Sequence, residues 1–506
     1  IYVWQPTTGT HDWNDPLKWL PNRFSPQVTD VLMFTEGGSS TANNVPTQTI
    51  SQFEVSSNTN ISWVSSTGGV SALSVNGPTL TDNIFIDNGS TLQLSSGGTS
   101  SINLSMVTTA SQRANISGTF ITNTNSTNNN TLTTNGVASN LFTVYPTGVI
   151  QNNGGTYTST AGTLVFGNTS TYNHNMDGGS LPTALWYNGV GPVISNINVT
   201  GVVSNSPANQ NQIFGNYTWD GTVAQTGAAN LAMTSPTIQG DFNVISTGTG
   251  SIIYANASSG TIIINGNYNL QGGDVFYNNS GSGVTNINLA GNYNQTGGTH
   301  QRGTGTGIQT FNFTNVASNK NYIQSGGSIN TTGITFNVNL NAIVTLNDNI
   351  VSNQAFNNLG TLFMQDKIIS GTGTFNHNNA ITATLGIGDA DGITTTGGVV
   401  GNVQVSGTKT YGITANYIYN GLAPQVTGNA LTTCNNLTID NTTGVTQQNA
   451  TSTTQNVVVT NLLNLNNGTY QIGGLSGNLN ALTLNGLAIA GTPTNLASNT
   501  FSNLIF

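Results

Sequence analysis

Five stretches of the chain read alike: "GNYTWDG" from Gly215, "GDFNVIS" from Gly240, "GNYNLQGGDV" from Gly266, "GNYNQTGGTH" from Gly291 and "KNYIQSGGSI" from Lys320. Their aromatic positions are Tyr217, Phe242, Tyr268, Tyr293 and Tyr322, nearly evenly placed along the chain with only the last step longer. A repeat in the twenties is the length of one solenoid coil, a unit that buries its apolar face only by stacking on its neighbours. Around the repeats, apolar residues alternate with polar ones: Ile262 and Ile264, Ile287 and Leu289, Phe311 and Phe313, then Phe336, Val338 and Leu340. A period of two marks strands with one face inward. No stretch sustains the i, i+3, i+4, i+7 pattern of a helix. A coil of this length fits three short strands joined by Gly/Asn turns, since both residues tolerate the left-handed backbone of tight turns. The expected fold is all-β: a right-handed parallel β-helix (β-solenoid) of about 25-residue coils, with the five aromatics as one stacked ladder and turn asparagines hydrogen-bonded up the column.

Composition agrees. Of 506 residues only 7 are Lys or Arg and 16 Asp or Glu, while 36% are hydrophobic and 62 are Gly. Disordered chains carry high net charge and few β-branched residues; this one has a net charge of −9 spread thinly and enough Ile, Val, Leu, Phe and Tyr to fill a thin core. Seven scattered cations supply no footprint for nucleic acid, and no apolar run reaches membrane-spanning length. Cys434 is the only cysteine, so no disulfide forms within one chain; its equal spacing from Leu431 and Leu437 puts it out of phase with both, as at a turn.

Four regions are expected. Residues 1–65 hold Trp4, Trp13 and Trp19 with a concentration of prolines and acids, the composition of a cap over an open coil. Residues 66–210 read as irregular coils, 211–345 as the regular repeats and 346–506 as a C-terminal solenoid region. The closing "FSNLIF" looks like a strand cut mid-repeat, so continuation beyond it is expected. Ile1 opens no signal peptide, so a processed chain or a signal outside it is expected.

The pattern Trp4, Trp13, Trp19 followed by "PQVTDVLMF" (Pro26 to Phe34) resembles the opening of large surface proteins exported by the type IX secretion system of Bacteroidota. The stretch "STYNHNMDGGSLPTALWYNG" (Ser170 to Gly189), with "NQIFGNYTWDG" after it, resembles a recurrent segment of the same proteins, and "GNYNQTGGT" and "NNLTIDNTTGVT" (Asn435 to Thr446) are similar to their strand repeats. The resemblance covers most of the chain. It implies an adhesin-type protein, extracellular or on the cell surface, that engages a secretion machinery. Members usually end in a C-terminal sorting domain, which is not seen before Phe506.

Catalysis on a β-helix needs clustered carboxylates, often with a cation or a basic residue in reach. "GDADG" holds Asp389 and Asp391, a loose likeness to the start of a calcium loop whose other oxygen ligands are not evident. Solvated turn acids are the favoured reading, and no cofactor other than calcium suggests itself. His300 and Arg302 follow Asp274 by close to one repeat length, which sets them on neighbouring coils, and an exposed polar patch is expected there rather than a catalytic set. His174, Asp177 and His377 read as isolated turn or surface residues. Trp186, Tyr187 and Trp219 are the candidates for stacking on sugar rings, with plugging of a widened coil as the alternative. The expected function is a non-enzymatic structural or adhesive stalk that contacts extracellular polysaccharide or neighbouring copies of itself. The rivals are a polysaccharide lyase or hydrolase, and a specific glycan-binding module. The module would need an outward array of Thr or aromatic residues in register over several coils. Pairs such as Thr304/Thr306 and Thr372/Thr374 are too irregularly spaced to supply one.

Overall fold

Alternating sequences with Gly/Asn turns leave backbone hydrogen bonds to be made between successive coils, and parallel pairing makes them. The structure, a computed structural model, describes the chain apart from residues 66–68, 80, 96–98, 107–110, 125–128, 187–193, 317, 396–399, 448–454, 473–480, 485–487, 492–503 and 506. It is an all-β parallel β-helix, as expected; among the described residues the helical content is a single 3-10 turn, Pro16–Lys18. The chain divides into two compact units, Ile1–Ile253 and Tyr254–Phe506, a division that falls inside the region of regular repeats rather than at any expected boundary.

In the first unit each early coil contributes one strand to each of three sheets. Val31–Phe34, Gln52–Val55, Asp82–Ile86, Arg113–Ile116 and Leu141–Val144 stack in parallel in one. Gly38–Val45, Thr59–Ser65, Thr91–Ser95, Thr119–Asn123 and Val149–Asn153 stack in the second, which continues through Thr171–His174 to Phe242–Ser246. Gln48–Ile50, Val70–Val75 and Ser101–Met106 begin the third. In the second unit, one sheet runs from Gly260–Ile264 through Thr285–Leu289, Gln309–Phe313, Ile334–Val338, Ala355–Asn358 and Thr374–His377 to Lys409–Tyr411. Another runs from Tyr268–Leu270 to Asn416–Tyr419 and on to the long strands Thr433–Thr446 and Asn456–Gln471.

Coil length is less uniform than the repeats suggest. A short coil separates Val344 from its partner Leu362, and a much longer one separates Leu385 from Tyr417. The strands keep register while turns absorb the difference. In the "GG" turns the second glycine takes the left-handed backbone, and a Cβ on Gly327 would lie 2.4 Å from the Gly298 carbonyl of the preceding coil. Only glycine permits that stacking.

The aromatic ladder holds within each unit. Tyr217 pairs with Phe242, their rings 5.7 Å apart. Tyr268, Tyr293 and Tyr322 pair in turn, both ring distances 5.3 Å. All five are buried. A second ladder, Phe311, Phe336, Phe356 and Phe375, continues up the neighbouring sheet at 5.9 to 6.0 Å per step.

The cap is shorter than residues 1–65, because full coils begin at Val31. Tyr2–Trp4 pairs in parallel with Val31–Phe34, and Trp19–Leu20 folds back antiparallel on its other edge. Trp4, Trp13 and Trp19 are fully buried in edge-to-face contact, with Trp19 4.9 Å from Trp4 and 5.3 Å from Trp13, over Phe34 of the first full coil. Arg23 and Asp30, both 4% exposed, form an ion pair at 2.7 Å beside this cluster, with the guanidinium 5.5 Å from the Trp19 ring.

Candidate functional site

The inward and outward faces of a strand are set by one residue of register, and that decides several of the candidate residues. Asp274 pairs with Thr299, and it is Val275 that lies beside His300. Asp274 therefore faces solvent while His300 faces the core, and the expected patch of Asp274, His300 and Arg302 does not form. His300 is stacked on Tyr277 at 4.9 Å, and its Nε2 is buried with no hydrogen-bond partner. Burial pulls its pKa down to about 3. Arg302 lies against Gly333 of the next coil.

His174 and His377 are likewise core residues rather than surface ones. Burial holds both at about 4, against the opposing hydrogen bond that His174 makes to the Gly178 carbonyl and those around His377 from residues 416 and 358. Asp177 is exposed but engaged: its carboxylate accepts from the backbone N–H groups of Val203, Ser204 and Asn205 at 2.7 to 2.8 Å and from the Asn205 amide at 2.6 Å. Slight desolvation would raise its pKa; these four donors outweigh it and bring it to about 2. Cys434 lies inside the strand Thr433–Thr446, not at a turn. Its phase is rescued by a register shift between Cys434 and Asn436, and burial pushes the thiol up to about 12.

Trp186 and Trp219 have no exposed surface, so neither offers a face to a sugar. Trp186 stacks on Phe166 at 4.4 Å and donates to Gln212, and Trp219 donates to Gln225. Both rings are packed in the core, as the plugging alternative has them. Tyr187 lies outside the described residues.

Asp389 and Asp391 sit in one turn, where Asp389 Oδ1 accepts from the Asp391 backbone N–H at 2.9 Å. Asp389 is half-buried, and desolvation, then repulsion from Asp391 and Asp366, raises its pKa against that hydrogen bond. Among the described residues no three His, Cys, Asp or Glu side chains come together as a metal-ligand set. A cleft of about 580 Å³ lies beside this turn, bounded also by Gln365, Asp366, Asn420 and Leu422.

One ordered surface feature went unread in the sequence. On the sheet from Thr285–Leu289 to Thr374–His377, Asn288, Asn312, Asn337, Asn357 and Asn376 pair successively on the outward face. Asn312 donates to Asn288 at 2.8 Å, Asn337 to Asn312 at 2.7 Å and Asn357 to Asn337 at 2.8 Å. Beside it runs a column with Asn286, Thr310 and Thr335 in register. The expectation of ladders at turns holds too, since Asn292 donates to Asn267 at 3.0 Å, but the longer ladder stands in mid-strand. Its signal was the recurring Phe-Asn dipeptide at Phe311, Phe336, Phe356 and Phe375: each phenylalanine fills the core and the next residue faces out. An asparagine amide has two donors and two acceptor positions. Asn337 uses one of each along the ladder, leaving one of each for a ligand or water, whereas Asn312 gives its second donor to Thr310 Oγ1 at 3.1 Å and keeps an acceptor position.

No family model, no curated protein and no solved structure matches the chain. Among the described residues no helix is long and apolar enough to cross a membrane.

Proposed function

We propose that this is a non-enzymatic, extracellular structural or adhesive protein, exported by a type IX-like route, in which stacked coils act as a spacer and their outward columns contact neutral polysaccharide or neighbouring copies of the chain. The observation that carries the reading is the uncharged Asn/Thr face of the second unit. It repeats spare acceptor positions from coil to coil, roughly 4.8 Å apart, and carries no fixed charge to require a charged partner. The scarcity of ionisable side chains, 7 Lys and Arg with 16 Asp and Glu in 506 residues, supports a role without acid–base chemistry.

The same face favours a second reading, a specific glycan-binding module, because an array in register is what such a module needs. One experiment separates them. The purified chain and the variant Asn312→Lys/Asn337→Lys are incubated with a panel of insoluble neutral and acidic polysaccharides, and both depletion from solution and release of shortened sugar chains are measured. The spacer-adhesin reading expects weak retention across several neutral polymers, lost in the variant, with no release of products. Tight retention on one polymer alone favours the module, and released products favour a lyase or hydrolase.

A further inference from the structure

The cleft beside Asp389 is built by three turns from successive coils, and its floor lacks side chains for a steric reason. A Cβ on Gly388 would lie 2.1 Å from the Gln365 carbonyl, and one on Gly421 would lie 2.5 Å from the Gly388 carbonyl. Buried amides hold the turns from behind. Asn402, fully buried, accepts from the N–H groups of Gly388 and Asp389 at 3.1 and 3.0 Å and donates to the carbonyls of Gln365 and Lys367 at 2.8 and 2.7 Å. Gln425 accepts from Gly421 N–H at 2.8 Å and donates to the carbonyls of Ile387 and Asp389 at 3.0 and 2.9 Å. A cleft fixed in this way has little ordering left to lose on binding.

Its charged lining groups are acidic. Asp366 and Asp389 line it, beside Gln365 and Asn420, whose amides can donate and accept. The cation at its edge, Lys367, sits 3.0 Å from Asp366. Leu422, 95% exposed, supplies an apolar wall. We propose that this cleft binds a saccharide unit carrying a free amino group. An ammonium meets the two carboxylates, ring hydroxyls meet the amides of Gln365 and Asn420, and the C–H face of the ring lies on Leu422. These polar residues are spread over turns of three coils, about 10 Å end to end at the usual strand spacing, which suits a substituted sugar ring better than a lone ammonium. Calcium is the poorer fit: it takes six to eight oxygens, and Asp389 Oδ1 is already engaged by the Asp391 N–H. The inference rests on the cleft alone and stands whether or not the Asn/Thr face binds polysaccharide.

The test is calorimetric titration of the purified chain with a glucosamine trimer, its N-acetylated counterpart and calcium chloride. The glucosamine trimer is expected to bind, and the N-acetylated trimer to bind about tenfold more weakly or worse, as loss of a charge-assisted contact implies. Asp366→Asn/Asp389→Asn should weaken the amine-bearing trimer by a similar factor; asparagine at 389 keeps an oxygen for the Asp391 N–H. Leu422→Lys, at a fully solvated position that leaves the core untouched, should abolish binding and serves if the double variant does not fold. Equal binding of both trimers, no binding of either, unchanged binding in the variants, or calcium binding that disappears in the double variant would each overturn the assignment.

Discussion

The N-terminal cap and the sheet from Thr285–Leu289 to Thr374–His377 bury aromatic side chains to opposite effect. In the cap each contact occurs once: Trp19 meets three different partners edge to face, Trp4, Trp13 and Phe34, and Arg23 has one carboxylate to pair with. In the sheet one contact is copied, Phe on Phe inside and Asn on Asn outside, coil after coil. A coil in mid-stack meets its own kind above and below. A terminal coil meets nothing on one side, so its edge has to be closed by residues that do not recur. Loss of one group should then cost much in the cap and little in the stack.

The sharpest break is Asp30→Asn, which leaves the Arg23 guanidinium buried without a counter-charge. The expected loss is about 3–5 kcal/mol, whereas Arg23→Met/Asp30→Leu should recover most of it, since a buried pair replaced whole by apolar groups is often neutral. All six tryptophans lie in the first unit, so denaturant curves followed by tryptophan emission report on that unit alone. A midpoint for Asp30→Asn equal to that of the parent chain would remove the pair from the account of the cap. Next in size is Phe356→Leu, with Phe336 and Phe375 left on either side. The expected cost is about 1.5 kcal/mol, seen by far-ultraviolet circular dichroism and absent from the tryptophan transition. Smaller still is Asn337→Ala. It removes two ladder hydrogen bonds, but Asn312 and Asn357 are half-buried and can turn to water. A loss of about 1 kcal/mol or less is expected from the same denaturation curves; a loss as large as that of Asp30→Asn would mean that the ladder, not the core, holds the sheet.

The same contrast explains what the sequence disclosed. Tyr268, Tyr293 and Tyr322 were legible because nearly constant spacing puts equal residues at equal places, and the three tryptophans because their composition broke the pattern. The Phe336–Phe356–Phe375 ladder escaped because its coils are shorter than those between the tyrosines, so a search at the tyrosine spacing passes over it. His300 was set beside Asp274 by counting one repeat length, and a register that differs by a single position sends the two side chains to opposite faces. At the cleft only Asp389 and Asp391 stood out. Asn402 and Gln425, whose amides hydrogen-bond to the backbone of its turns, are asparagine and glutamine in a chain full of polar amides. What distinguishes them is burial, which depends on irregular coil lengths that the sequence does not print.

Acid sharpens the comparison further, with no effect expected at neutral pH. His300 and His377 lie in the second unit and His174 in the first, all held neutral by burial. In an unfolded chain each takes up a proton near the ordinary value of about 6.5; in the fold His300 does so only near 3 and His377 near 4. Between those limits the unfolded state binds more protons, so stability is complete above about pH 6.5 and falls as pH drops towards the folded values. His300→Phe keeps a ring on Tyr277 and removes the titrating group, while Tyr293, which contacts Nδ1 at 3.3 Å, keeps its bond to Gln295 at 3.0 Å. In a circular dichroism titration from pH 7 to 3, the variant should match the parent at pH 7 and hold its strand signal to lower pH. The tryptophan transition, which reads the first unit, should be the same in both. If the variant loses its strand signal at the same pH as the parent, His300 is not the group whose protonation opens the second unit, and His377, whose Nδ1 has the Asn358 amide 3.2 Å away, becomes the residue to replace.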